Sequence, residues 1–210
     1  MSKTRTFSFS SAIRKGESIM QQSRVRKNVT VGMLSTIAYL LMMLDFPFPG
    51  FPTFLQIDFS DVPALIAAIV FGPAAGIMVE VIKNVLHYLI QGSATGVPVG
   101  EISNFIAGTI FIIPTAVFFR RFRSMKGLFI GLTIGTLLMT IVMSILNYYV
   151  FMPAYTLFLN MPAMSQESLK QLVVAAILPF NLIKGVIVAI LLAALISKIK
   201  TWLTNQLLIH

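Results

Sequence analysis

The chain has 210 residues, of which 57% are hydrophobic and only 11% are charged, and its mean hydropathy is +0.87. A soluble domain is closer to half apolar and a quarter charged, so this composition predicts a polytopic membrane protein. The lack of cysteine excludes disulfide frameworks and cysteine metal sites, and two histidines leave little for a zinc site. The net charge of +9 does not require nucleic acid, because lysine and arginine accumulate on the cytoplasmic side of membrane proteins.

The first 27 residues are basic and rich in serine, and they contain no apolar core. They do not read as a cleaved signal peptide, because the first apolar run starts near Val29 and continues as a span. We expect residues 1–27 to form a flexible cytoplasmic tail, residues 28–200 the membrane domain, and residues 201–210 a cytoplasmic C-terminal end.

The apolar runs predict an all-α fold with six transmembrane helices. Their expected bounds are Asn28–Leu44, Val62–Phe71, Ala74–Ile90, Glu101–Phe119, Gly127–Val150 and Leu169–Ile196. The stretch "TFLQIDF" follows the helix breakers of "DFPFPGFP" and alternates in part. It therefore predicts an extended re-entrant or lid segment rather than a helix.

Charge decides whether residues 62–90 form one kinked span or two. If two helices form, 13 of the 16 basic residues lie on one side of the membrane, including those of "RRFRSMK". This is the distribution that the positive-inside rule requires. Both termini are then cytoplasmic, and the long loops are external and lid-like. The helix over residues 62–71 spans only about 15 Å, so protein rather than lipid must shelter it.

A polar stripe interrupts the third helix. Glu80, Lys83, Asn84 and His87 recur at helical spacing and share one face. Glu80 and Lys83 can pair within the helix, and a self-neutralised stripe is favoured over a proton relay because buried charges are generally paired.

Other polar residues are predicted in the outer half of the bundle. Glu101 and Asn104 begin the fourth helix, Asn147 lies near the outer end of the fifth, and Asn181 and Lys184 follow Pro179 in the sixth. If these helices pack together, the residues supply a carboxylate, amides and an ammonium around an outward cavity, which suits a ligand with mixed hydrogen-bonding groups. A small-molecule site and a purely structural polar network both remain open from these residues alone.

Motifs for catalysis and for energy conversion are missing. The sequence has no P-loop, no nucleophile elbow and no His-Glu-x-x-His motif. We therefore expect a protein that is not an enzyme and that needs another subunit or an ion gradient for active transport. No cofactor and no metal ligand set are predicted.

Several segments together resemble a known family. They are "FPTFLQIDFSDVPALIAAIVFGPAAGIMVEVIKNVLHYLIQG", "PVGEISNFIAG", "LNYYVFMPAY" and "LPFNLIKG", in this order. The chain is similar to the riboflavin-specific substrate-binding (S) subunit of energy-coupling factor (ECF) transporters. This resemblance implies a bacterial membrane protein, monomeric within its complex, that captures riboflavin from outside. It also implies docking onto a transmembrane coupling protein that carries two ABC-type ATPases.

The resemblance also implies a set of ligand contacts, which are Leu55, Gln56, Val99, Glu101, Asn147, Asn181 and Lys184. The flavin ring would meet the amides and a lysine donor, and the ribityl chain would suit Gln56, Glu101 and Lys184. Leu55 or Met152 would form an apolar wall for the xylene end. Asp58, Asp61 and Pro63 are expected to shape the lid and to cap the second helix.

Docking on the coupling protein is implied for small residues of the first helix. In this chain these are Gly32, Ser35 and Thr36, where the family typically has alanines at four-residue spacing. Two other functions remain as alternatives. One is an ion-coupled secondary carrier of a small polar molecule that uses Glu80, Lys83 and His87, and the other is a membrane assembly protein without a ligand.

Overall fold

A computed structural model describes the backbone of residues 9–207 and the side chains of residues 24–198. Its helices are α1 Phe9–Met42, α2 Asp61–Phe71, α3 Pro73–Gln91, α4 Val99–Phe122, α5 Met125–Leu146, α6 Met152–Phe158, α7 Gln166–Leu172 and α8 Leu178–Leu207. Two short strands, β1 Phe46–Pro47 and β2 Gln56–Ile57, pair antiparallel between α1 and α2.

Two π-helical turns join four of these helices into longer rods. The turn Asn147–Phe151 connects α5 to α6, and the turn Val173–Ile177 connects α7 to α8. Each turn ends two residues before a proline, Pro153 or Pro179. Proline lacks an N–H and clashes with the carbonyl four residues earlier, so a locally widened helix is the physical response. The described backbone therefore contains six continuous helical rods.

The all-α class and the division of residues 62–90 into two helices are confirmed. Gly72 separates α2 from α3 and has φ of 102°, a conformation that glycine adopts without strain. Most side chains of the 11-residue α2 are buried, which confirms that other helices shelter this short segment. The predicted extended segment also matches β2, which lies in the loop between α1 and α2.

The N-terminal segment differs from the expectation. Residues 9–27 were predicted as a flexible tail, but they are helical and continuous with the rest of α1. The reason is that they contain no proline and only one glycine, Gly16, so nothing interrupts the helix before Asn28. The remainder of the predicted tail, residues 1–8, and the end of the predicted C-terminal segment, residues 208–210, lie outside the described residues.

Four helical rods are long and apolar enough to cross a membrane. They cover Pro73–Gln91, Val99–Phe122, Met125–Phe158 and Gln166–Lys198, while α2 is apolar but shorter. The four basic residues Arg120, Arg121, Arg123 and Lys126 lie at the end of the bundle that carries the tight turns around Gly72 and Ser124. The longer loops lie at the opposite end.

Glycines of α5 bring the central helices into close contact. Gly127, Gly131 and Gly135 recur every four residues, and a methyl group added at Gly131 would lie 2.7 Å from Thr115 Cα on α4. Gly185 of α8 packs in the same way against Thr136 of α5, where an added Cβ would lie 2.6 Å from its Cγ2. Small residues of this kind let membrane helices approach backbone to backbone. As a result α4, α5 and α8 are neighbours, which places their polar residues close to one another.

Candidate ligand-binding pocket

A polar pocket lies at the end of the bundle that carries the longer loops. It has a cavity volume of about 230 Å³ and is lined by residues of α1, of the loop between α1 and α2, of α3 and α4, and of the rods that contain α5 with α6 and α7 with α8. Six of the seven residues expected as ligand contacts line this cavity, namely Leu55, Gln56, Glu101, Asn147, Asn181 and Lys184. Val99 instead packs in the main apolar core, next to the pocket-lining Gly100.

Lys184 is the cation of the pocket, and it is held by a lid carboxylate. Its Nζ lies 2.9 Å from Asp58 Oδ2, and both residues are less than a tenth exposed. Burial alone would raise the pKa of the Asp58 carboxyl, but Lys184, Lys83 and the hydrogen bond from Ser60 together hold that pKa below its usual range. Lys184 has three N–H donors, so two of them remain available to a ligand.

The two asparagines of the pocket are oriented in the same way. Asn147 Nδ2 donates to the Met143 carbonyl at 2.8 Å, and Asn181 Nδ2 donates to the Ile177 carbonyl at 3.0 Å. Each bond runs one helical turn back along the same rod and fixes the amide plane. The amide oxygen and the second N–H of each residue are then free to meet a ligand in the pocket.

Glu101 lies in the first turn of α4 and is mostly buried. Its Oε1 lies 3.1 Å from His87 Nδ1 of α3, while its Oε2 is buried without a hydrogen-bond partner. Asn104, one turn further along, also has a buried amide oxygen without a partner. Unpaired buried polar atoms are costly, and their presence beside a cavity is typical of a site that a ligand completes.

The loop between α1 and α2 contributes an apolar cluster beside the pocket. Phe51 packs edge-on against Phe180 of α8, with ring centroids 6.0 Å apart, and Leu55 is buried beside Ile57. Met152, expected as part of an apolar wall, packs in this same cluster but is not among the pocket-lining residues. The pocket therefore combines polar and apolar lining residues, as an amphiphilic organic ligand requires.

The charged stripe of α3 is paired, as the sequence predicts. Lys83 Nζ lies 2.9 Å from Glu80 Oε2, but it also contacts Asp61 Oδ1 at 2.7 Å and Ser60 Oγ at 2.7 Å. For Asp61, only a role in the lid and the cap of α2 was predicted, so its ion pair with Lys83 is a new finding. Because Lys83 and Glu80 are fully buried, this cluster lies in the core of the bundle and not in the pocket.

The three residues expected to dock the coupling protein do not share one face. Gly32 and Thr36 are exposed on α1, and a methyl group at Gly32 would meet no atom within 4 Å. Ser35 is instead 1% exposed and donates its hydroxyl to the Val31 carbonyl at 2.7 Å. Position 35 is one step of about 100° from position 36 on a helix, which turns its side chain inward and removes it from the exposed face.

Several pocket residues were missed in the sequence analysis as ligand-site candidates. Asp58 and His87 line the pocket and contact two of the expected residues, and Tyr155 of α6 also lines it. The signal for His87 was available, because it lies one turn beyond Asn84 on the predicted polar face of α3. The contact between Asp58 and Lys184 joins residues 126 positions apart, so no local pattern announces it.

Comparisons with known proteins agree with this architecture. The family model for the substrate-specific component of ECF transporters matches residues 26–196. The chain is 57% identical to the riboflavin transporter FmnP of Bacillus subtilis (strain 168) over 187 residues, which cover 89% of this chain and 98% of that protein. It is 42% identical to the riboflavin transporter RibU of Staphylococcus aureus (strain TCH60), over 88% of this chain and 94% of the relative.

A solved structure has the same fold. It is described as "Structure and mechanism of the S component of a bacterial ECF transporter", is 40% identical in sequence and superposes with a TM-score of 0.73. The superposition covers 86% of this chain and 98% of the other. The family match spans more than three quarters of the residues, and the fold agrees at substantial identity. The chain therefore belongs to the substrate-specific components of ECF transporters.

Proposed function

We propose that this chain binds riboflavin on the outer side of the bacterial cell membrane and delivers it to an ECF coupling module. The observation that carries the proposal is the polar pocket, in which Asn147, Asn181, Lys184 and Glu101 converge from three helices. Relatives at 57% and 42% identity are named riboflavin transporters, which supports the same ligand here.

The chemistry of the pocket suits a flavin. The ring system of riboflavin offers carbonyl acceptors and an N–H donor along one edge, and each asparagine amide has both an acceptor and a donor free. The hydroxylated ribityl chain suits the unpaired Glu101 oxygen and the free Lys184 donors. The seven contacts implied by the family resemblance remain our proposed ligand set, with Val99 acting from behind Gly100 through packing.

The chain is a multi-pass membrane protein, and we propose that all six rods cross or enter the bilayer with both termini in the cytoplasm. This orientation sets the basic residues after α4 on the inner side and opens the pocket outward, which agrees with the positive-inside rule. We propose that the energy for active uptake comes from a transmembrane coupling protein and two ABC-type ATPases, as the family resemblance implies, since this sequence contains no P-loop of its own. Gly32 and Thr36 of α1 form the proposed docking face.

Binding is tested with the purified full-length chain in detergent. Riboflavin fluorescence is quenched when the ring enters a protein site, so titration gives the affinity directly, and mass spectrometry identifies any flavin that copurifies. We expect saturable quenching with one riboflavin per chain. A protein that neither copurifies with flavin nor quenches added riboflavin contradicts the proposal.

The two alternative functions predict different results. A secondary carrier takes up its substrate without ATPase partners and stops when the ion gradient is collapsed. A protein without a ligand tolerates a scrambled lid segment. The carrier has no support from its proposed relay residues, since Lys83 already donates to three buried acceptors and His87 lies against Glu101. The protein without a ligand has no support from the polar pocket.

A further inference from the structure

The two buried lysines of the bundle are held in different ways. Lys83 is 0% exposed, and its ammonium contacts Ser60, Asp61 and Glu80, so all three of its N–H donors have acceptors. Lys184 contacts one protein carboxylate, that of Asp58, and lines the pocket. Lys83 is therefore saturated within the core, whereas Lys184 has donors left for a ligand.

A short chain of hydrogen bonds joins the two lysines. Lys83 Nζ donates to Ser60 Oγ at 2.7 Å, and the Ser60 hydroxyl in turn donates to Asp58 Oδ1. The backbone N–H of Ser60 also donates to Asp58 Oδ1, at 2.9 Å. The other oxygen of that carboxylate, Oδ2, accepts from Lys184. The connection Lys83–Ser60–Asp58–Lys184 thus runs from α3 through the end of the lid segment to α8.

In this series of hydrogen bonds, each residue restrains the orientation of the next. Ser60 is 0% exposed and Asp58 3% exposed, so no bulk water replaces a lost partner. With Oδ1 held twice by Ser60, the Asp58 carboxylate can present only Oδ2 to Lys184. The Lys184 side chain is long and flexible, and an unrestrained lysine would lose rotamer freedom on being fixed by a ligand.

We infer that Asp58 is a positioning residue for Lys184, and that Ser60 and Lys83 set the orientation of Asp58. The ammonium of Lys184 is then already directed at the ligand before binding. This inference rests on the proposed riboflavin function for its affinity effects. Its geometric content, that Asp58 restrains Lys184, does not depend on the identity of the ligand.

The first experiment is a double-mutant cycle on riboflavin affinity with Asp58→Asn and Lys184→Met. Losing a charged hydrogen bond is expected to weaken binding by about 10- to 150-fold for Lys184→Met. Asp58→Asn should weaken it in the wild-type background but cause little further loss when Lys184 is already Met, because it acts through that residue. A merely structural role for Asp58 would lower affinity in both backgrounds, and such additivity overturns the inference.

Ser60→Ala is a milder variant that keeps every charge. It removes the hydroxyl that directs Asp58 and is expected to weaken binding by about 3- to 10-fold, again only while Lys184 is present. Glu167→Gln is the matched control for Asp58→Asn, because it makes the same carboxylate-to-amide change at an exposed residue of α7 that lies outside the pocket. Its affinity should equal that of the wild type.

A second measurement needs no riboflavin. Acetic anhydride modifies free amines, and peptide mass spectrometry gives the rate at Lys184 relative to the exposed Lys170 in the same molecule. The relative rate should rise in both Asp58→Asn and Ser60→Ala, because Lys184 is released from the carboxylate. An unchanged rate overturns the inference. If the rate rises but wild-type protein binds no riboflavin, the proposed function fails while the positioning role stands.

Discussion

Replacing Asn181 with leucine tests whether the pocket recognises the flavin ring. The side chain is 8% exposed and lines the cavity, and its Nδ2 donates to the Ile177 carbonyl at 3.0 Å, which leaves the amide oxygen and the second N–H for a ligand. Leucine has the same side-chain branching and the same number of heavy atoms but no polar atom, so the substitution removes the hydrogen-bonding groups and replaces them with a somewhat larger apolar side chain.

The expected magnitude follows from the loss of one buried partner. A ligand N–H or carbonyl that loses its only partner in a desolvated site costs about 1–3 kcal/mol, which corresponds to about 5- to 150-fold in affinity. Lumiflavin, which has the same ring but lacks the ribityl chain, should lose the same factor as riboflavin. Fluorescence-quenching titrations with both ligands measure the two losses side by side.

The control is Asn28→Leu, the same substitution at an exposed position of α1 away from the pocket. Thermal unfolding of both variants in detergent shows whether each remains folded. If folded Asn181→Leu binds both flavins as tightly as the wild type, Asn181 does not contact the ring and the assignment of this edge of the pocket is wrong.

Three further outcomes follow from the same structure. Glu101→Gln should weaken riboflavin binding by about 10-fold or more, the value of a charged hydrogen bond, but leave lumiflavin affinity unchanged; equal losses for both ligands would place Glu101 on the ring instead. Gly131→Ala should destabilise the fold by about 1–3 kcal/mol, because the new methyl lies 2.7 Å from Thr115 Cα. Gly32→Ala meets no atom within 4 Å and should leave the melting temperature unchanged or raise it slightly, because alanine favours the helix more than glycine does. The Asp58 carboxyl has a pKa below its usual range, since Lys184, Lys83 and Ser60 outweigh burial, so its ionised form stabilises the fold above the unfolded-state pKa. The stability difference between wild type and Asp58→Asn should therefore be constant from about pH 7 to about pH 5 and close only in stronger acid; a difference that already shrinks near pH 6 would show that Asp58 is not held ionised.

The sequence was sufficient for features that depend on local composition. Glycine and proline at positions 72 and 73 predicted the break between α2 and α3, and charge distribution predicted that two helices form there. The spacing of Glu80 and Lys83 predicted their ion pair, because both lie on one helix. The ordered motifs identified the family that the comparisons confirm.

The ion pairs that were not predicted from the sequence join elements far apart in the chain. Asp61 is 22 positions from Lys83, and Asp58 is 126 positions from Lys184, so hydrophobic periodicity carries no information about either pair. The glycines of α5 were a detectable signal that went unused, since their four-residue spacing is typical of close helix contacts. The burial of Ser35 was also not predicted, because small size was considered without the helical angle that turns this side chain inward.

The two π turns set the rotational phase of the helices they interrupt. Each accommodates one residue more than an α-helical turn, so the segment beyond it is rotated by about 100° around its axis relative to an uninterrupted helix. Deleting one residue from Asn147–Phe151 would remove this added rotation and swing Tyr155 away from the cavity wall. The shape of this wall therefore depends partly on the number of residues in the turn, and deleting a turn residue other than Asn147 would alter the wall without replacing any pocket-lining side chain.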